Sequence, residues 1–356
     1  MRPAATAALL ALLYYGAFAF VECRKHHFDV SVFVKAGDEY TRPGEAPPGL
    51  TVERNSPGYD GQFYYRVALH PLSREARVGG IRFDFPVYRI QRIGYPLLIH
   101  VLSGGNSRAV PWCMLIVNVL ALAMIAGIAA TITNRVLAGL TVALYPGFLL
   151  TLSRDLVEAV EMCLVLGALW LVLRRRYWVA AVLLTLAVLT KETALLFVIA
   201  AAVTNRRYAL HLALPVVAWV GWKLFLFRWW HLPIRFFSGE DFALPFVGLV
   251  RRFYDVPPLA MIEIVLLLVF ALIVALALRT SASSSVVKVG WLLYAALLVT
   301  LGSEFWWEDW SFLRAATGYG VFGTLIAAES PRWSVVMSAL VGCSSLALAA
   351  HLLLSG

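Results

Sequence analysis

The chain has 356 residues, 61% of them hydrophobic and 14% charged, with a mean hydropathy of +0.77. A composition that apolar excludes a water-soluble globular surface and identifies a polytopic chain whose solvent is lipid. The formal net charge of +9 comes from short clusters between apolar runs, such as Arg174-Arg175-Arg176 and Arg206-Arg207. That pattern marks topology and excludes a nucleic-acid partner.

Residues 5–21 form the first apolar run, read as an uncleaved span because no small-x-small pattern stands cleanly before Glu22. The polar region after Cys23 carries Pro43, Pro47, Pro48 and Pro57 and cannot lie in hydrocarbon without orphaning backbone groups. It predicts a first extracytoplasmic loop over 23–109. Amphipathic interfacial helices are expected at Phe28–Tyr40 and Gln62–Leu69, and a return helix at Tyr88–Leu102, interrupted by Pro96.

Apolar runs at about 110–133, 136–152, 155–173, 208–230, 258–278, 287–302, 312–328 and 333–354 predict, with the first, nine crossings in one transmembrane domain over 1–356. The stretch 177–204 lies between two arginine clusters. It predicts a re-entrant or short-helix hairpin turning at Lys191-Glu192. A second extracytoplasmic loop is expected over 231–257. With Arg2 inside, Arg135, Arg279, Lys288 and Arg332 join the two clusters on the inner face. The acidic and aromatic loops then share the outer face.

Cys23, Cys113, Cys163 and Cys343 show no paired spacing, and the histidines, His26-His27, His70 and His231 among them, do not group. Neither a metal site nor a disulfide framework is suggested. Gly79-Gly80 and Gly104-Gly105 lack the pattern of a nucleotide-phosphate loop, and no cofactor is expected.

Chemistry concentrates in five segments: Gly58 to Arg66, Tyr88 to Pro96, Ser153 to Glu158, Leu189 to Thr193, and Glu308 to Arg314. Their ordered combination, with Asp60 in a long loop beyond a lone first span, resembles the GT-C superfamily of integral membrane glycosyltransferases, and more closely a set of bacterial members. The resemblance implies an all-α bundle in the bacterial inner membrane with its active site facing outside. It implies a polyprenyl-phosphate-linked sugar as donor, a glycan, lipid or protein as acceptor, contact with membrane lipids, and an inverting displacement.

Such transfer needs a base for the acceptor hydroxyl and positive charge for the departing phosphate. Asp60 suits the base, and burial beside aromatic rings is expected to raise its pKa, although Asp-Gly is also a common turn. Arg89, Arg92, Lys191 and Arg314 are the candidate donor or phosphate contacts. Arg89 and Arg92 could equally meet lipid head groups, and Arg314, beside Trp306, Trp307 and Trp310, could be an aromatic-belt anchor. Tyr59, Gln62, Tyr64, Arg154, Glu158, Glu192, Trp307 and Glu308 are expected to line the cavity. For Glu158 the alternative is a structural ion pair, and Lys191 with Glu192 could satisfy each other. The rival readings are a non-enzymatic lipid or solute transporter, with Glu158, Glu161, Lys191 and Glu192 along its path, and a catalytically inactive scaffold.

Overall fold

The computed structural model describes residues 3–231, 242–252, 258–307 and 311–355. Helix α1 (Pro3–Lys25) leads into a polar region in which Val30–Val34 forms a 3-10 turn and two short strands, β1 (Ala36–Gly37) and β2 (Val52–Glu53), pair in parallel. The regular helix expected over Phe28–Tyr40 does not form. Lys35 takes a left-handed conformation (φ 51°), which ends the turn and sends the chain into β1.

Helix α2 (Asp60–Leu69) starts two residues before the expected element, and all ten of its residues are buried. The expected interfacial position is therefore replaced by a place inside the protein. The return helix divides into α3 (Pro86–Ile90) and α4 (Gly94–Ser103), with the break at Gln91–Ile93. Pro96 does not interrupt it. Proline falls in the first turn of α4, where an amide N–H has no helical partner to lose.

The apolar part continues with α5 (Ala109–Thr133), α6 (Val136–Ala143) and α7 (Gly147–Ser153). Helices α6 and α7 form one apolar unit bent by 56°, with Pro146 at the break. Then come α8 (Glu158–Leu173), α9 (Tyr177–Thr190), α10 (Leu195–Thr204), α11 (Ala209–Trp230) and α12 (Val247–Arg252). The C-terminal part holds α13 (Pro258–Ala277), α14 (Ser285–Val299), α15 (Ser303–Trp307), α16 (Ser311–Ala315), α17 (Thr317–Ala328) and α18 (Ser334–Ser355).

Among the described residues, four helices are long and apolar enough to cross a membrane, namely α1, α5, α11 and α18, or five crossings if the bent α6–α7 pair is one span. The α5 surface shows what these helices face. Trp112, Ile116, Leu120 and Met124, four residues apart, are exposed, whereas Met114, Asn118, Leu122 and Ile125 are buried. An exposed apolar stripe of that length is stable against lipid and unfavourable against water. The protein is thus an all-α, membrane-embedded chain.

Helix α17, like α2, is buried at every residue, and it is packed by α6, α13, α14 and α18. Its glycines make this possible. A Cβ at Gly318, Gly320 or Gly323 would meet the ring of Tyr294, Tyr145 or Phe270 at 2.3, 2.3 and 2.6 Å. Small residues admit neighbouring aromatics where lipid supplies no hydrophobic drive between helices.

The stretch 177–204 breaks at Lys191, which is extended (φ −156°, ψ 133°), followed by a 3-10 turn over Glu192–Ala194. The two arms have different neighbours. Helix α9 packs on α8 and α11, and α10 packs chiefly on α14. The stretch is thus two short helices that break at Lys191, and the break delivers Lys191 and Glu192 to the start of α8.

Candidate functional site

Two close backbone approaches position the site. A Cβ on Gly61 would lie 2.4 Å from the Arg154 carbonyl oxygen, so the first turn of α2 is pressed onto the α7–α8 connection. A Cβ on Gly94 would lie 2.5 Å from Thr190 Oγ1 and 2.8 Å from its amide nitrogen, so the start of α4 is pressed onto the end of α9. No other residue type fits either contact without displacement. The first brings Asp60 beside α8; the second brings Arg92 beside Glu192.

The side chains then form a series of ion pairs from Asp84 to Lys191, with a separate pair beside it. Asp60 Oδ1 meets Arg89 Nη1 at 2.7 Å, and Asp60 Oδ2 accepts from Arg314 Nη1 at 2.8 Å. Arg89 also donates through Nε and Nη2 to Asp84 Oδ1 and Oδ2, at 2.9 and 2.6 Å. Arg314 Nε approaches Glu158 Oε1 at 3.7 Å, and the same oxygen accepts from Lys191 Nζ at 2.9 Å. Arg92 pairs with Glu192 through two bonds of 3.1 and 2.6 Å. These acids and bases balance in charge, as groups this buried must.

Aromatic side chains enclose the charges. The Tyr59 ring centroid lies 4.6 Å from the Arg154 guanidinium and 5.1 Å from that of Arg314, within cation–π range. Arg89 lies 4.5 Å from the Phe63 ring and Arg92 4.2 Å from that of Tyr88. Arg92 further donates to the Tyr88 and Tyr64 hydroxyls at 2.7 and 3.3 Å.

The raised pKa expected for Asp60 is corrected by this geometry. Burial alone would push it up, but the guanidiniums of Arg89 and then Arg314 outweigh that penalty and hold the carboxyl well below the usual aspartate range. Asp60 is ionised, and neither of its oxygens is idle.

The structure thus brings together Asp60, Arg89, Arg92, Lys191, Arg314, Glu158 and Glu192, with Tyr59, Tyr64 and Arg154 around them. Lys191 and Glu192 do not satisfy each other: each pairs with a different element. Gln62 does not line the group. Its side chain accepts from the Gly37 amide at 3.2 Å and Thr41 Oγ1 at 2.9 Å, and donates to the Pro57 carbonyl at 2.8 Å, tying the loop together. Glu308 lies outside the described residues, as does the side chain of Trp307.

Asp84, with Asp38 one of the loop acids that rank as weaker candidates in the sequence, holds Arg89 from the side opposite Asp60. Lys223 escapes a reading of the sequence. Lys223, buried in α11, donates to Gln91 Oε1, while Trp222 Nε1 donates to the Gln91 carbonyl at 3.1 Å. Helix α11 thereby fastens the connection that carries Arg92. The signal was a lysine within an apolar run. Glu161, one turn beyond Glu158, accepts from Thr193 Oγ1.

Comparison with protein-family models, curated proteins and solved structures gives no match to the chain.

Proposed function

We propose that the protein is a GT-C-like membrane glycosyltransferase. It moves a sugar from a polyprenyl-phosphate carrier to an acceptor hydroxyl of a glycan, lipid or protein. On this reading the shorter apolar helices and the bent α6–α7 pair complete about nine crossings, and the site faces outward from a bacterial inner membrane. The observation that carries the proposal is the convergence of Arg89, Arg92, Lys191 and Arg314, from three separate stretches of chain, around Asp60, Glu158 and Glu192. Clustered cations beside one carboxylate are what phosphate departure and hydroxyl activation require.

A second feature supports a lipid-linked donor. A mainly apolar cavity of about 190 Å³ lies between the α6–α7 break, α13, α16 and α18; its wall includes Phe270 and Leu313, the residue next to Arg314, with Glu263 and His351 as its ionisable members. An isoprenoid tail in that cavity would bring its phosphate toward the arginine.

In the reaction, the acceptor oxygen bonds to the anomeric carbon as the bond from that carbon to the phosphate oxygen breaks. The electron pair leaves with the phosphate, and the acceptor proton passes to Asp60. The test is transfer by purified protein in lipid bilayers, supplied with a panel of polyprenyl-phosphate sugars and acceptors. Wild type should consume at least one donor, and Asp60→Asn should lower the rate by about 10²- to 10⁴-fold. Failure of wild type with every donor, or an unchanged rate in Asp60→Asn, overturns the reading.

A further inference from the structure

A carboxylate gripped by two guanidiniums is a poor base. Each Asp60 oxygen is already paired, Oδ1 with Arg89 at 2.7 Å and Oδ2 with Arg314 at 2.8 Å, which lowers its affinity for an acceptor proton. Resting on the transferase reading above, we propose that the donor's phosphodiester displaces Asp60 from Arg89 and Arg314, so that the carboxylate becomes a base only once the donor is seated.

Three features of the site carry this exchange. First, the atoms match: one Nη1 from each arginine meets one oxygen of a single anion, and a phosphodiester presents two non-bridging oxygens bearing one shared charge. One monoanion thus replaces another on the same two donors. Second, neither arginine is stranded when Asp60 leaves. Arg89 keeps both oxygens of Asp84, at 2.9 and 2.6 Å, and Arg314 keeps Glu158 at 3.7 Å. Third, Glu158 is itself fastened by Lys191 at 2.9 Å, which fixes the second anchor of Arg314.

The order of events follows. Donor binding spends the two Nη1 groups on phosphate, where they stabilise the charge that grows as the bond to the anomeric carbon breaks. The same event releases a carboxylate that faces Arg89, Arg92, Arg314 and Tyr64. With its strongest pairings lost, Asp60 gains affinity for the acceptor proton. The acceptor is therefore activated only in the presence of the donor.

The test measures affinity of the full chain for farnesyl methyl phosphate, a phosphodiester with an isoprenoid tail and no sugar to transfer. If the carboxylate and the phosphodiester compete, Asp60→Asn should bind the probe about tenfold or more tightly than wild type, the usual scale of coupling between two ligands. Arg89→Ala and Arg314→Ala should each weaken binding. Equal or weaker binding by Asp60→Asn overturns the exchange, as does binding by wild type that ignores both arginine substitutions. Should Asp60→Asn fail to fold, Asp60→Ser, whose hydroxyl carries no charge, reads the same competition. Binding by that variant no tighter than wild type overturns the proposal. Tighter binding by Asp60→Asn, with no transfer by wild type from any donor, would keep the exchange and remove the transferase reading, so the two fail separately.

Discussion

Arg314 and Asp60 stand 254 residues apart in the chain and meet at 2.8 Å. The contact joins the first helix of the polar loop to the short α16, and it defines what each substitution in the cluster should do.

Loss of Glu158 should cost more stability than loss of Asp60. Glu158→Gln leaves Lys191, a buried lysine, without its carboxylate, and breaking a buried pair in that way costs about 3–5 kcal/mol. Asp60→Asn leaves Arg89 with Asp84 and Arg314 with Glu158, so its penalty should be smaller. Apparent unfolding midpoints in detergent should fall further for Glu158→Gln; the reverse order would contradict the pairing.

Arg92 and Glu192 should behave as a coupled pair across the α4–α9 contact. A double-mutant cycle of Arg92→Gln and Glu192→Gln should give a coupling of about 1–3 kcal/mol, consistent with two hydrogen bonds between buried charges. Additive effects would mean that the pair does not form.

The pH dependence of stability follows from the direction of the Asp60 shift. Its folded pKa is depressed below the ordinary value of 3.8, so its ion pairs contribute fully above that value and are lost as pH falls through the lower folded value. The midpoint difference between wild type and Asp60→Asn should stay constant from pH 7 down to about 5 and shrink only below about pH 4. A difference that fades between pH 5 and 7 would instead indicate the raised pKa expected from burial alone.

Gly94→Ala should disturb the site without touching a charge. The new methyl group would stand 2.5 Å from Thr190 Oγ1 and 2.8 Å from a backbone nitrogen, an overpacking worth about 1–3 kcal/mol. Adding Thr190→Ala should recover only part of the loss, because the backbone nitrogen remains. Full recovery would show that the side chain alone sets the contact.

Much of the fold was legible in the sequence because lipid imposes a simple rule: long apolar runs become helices. Those spanning 110–133 and 208–230 correspond closely to α5 and α11. Local backbone geometry was harder to read. Lys35 in a left-handed conformation ended an element whose composition looked helical, and the break before Gly94 shifted an interruption assigned to Pro96. In the candidate site, residue types pointed to charge chemistry, but partners did not follow from spacing. Lys191 and Glu192 are neighbours that pair elsewhere, and Asp60 meets an arginine from the far end of the chain. Whether a buried carboxylate is raised or lowered depends on such partners, so burial alone gave the wrong sign for Asp60.

The distance in sequence between Asp60 and Arg314 also bears on biogenesis. Synthesis runs from the N-terminus, so Asp60, Asp84, Arg89, Glu158 and Lys191 all emerge before Arg314. Until then the four carboxylates of the cluster, Asp60, Asp84, Glu158 and Glu192, outnumber its three cations, Arg89, Arg92 and Lys191, and α16 brings the fourth. Insertion of α16 and α17 therefore completes an electrical circuit as well as a bundle. A chain interrupted within 231–257 should leave Asp60 and Glu158 one cation short, a less stable folding intermediate than the finished protein.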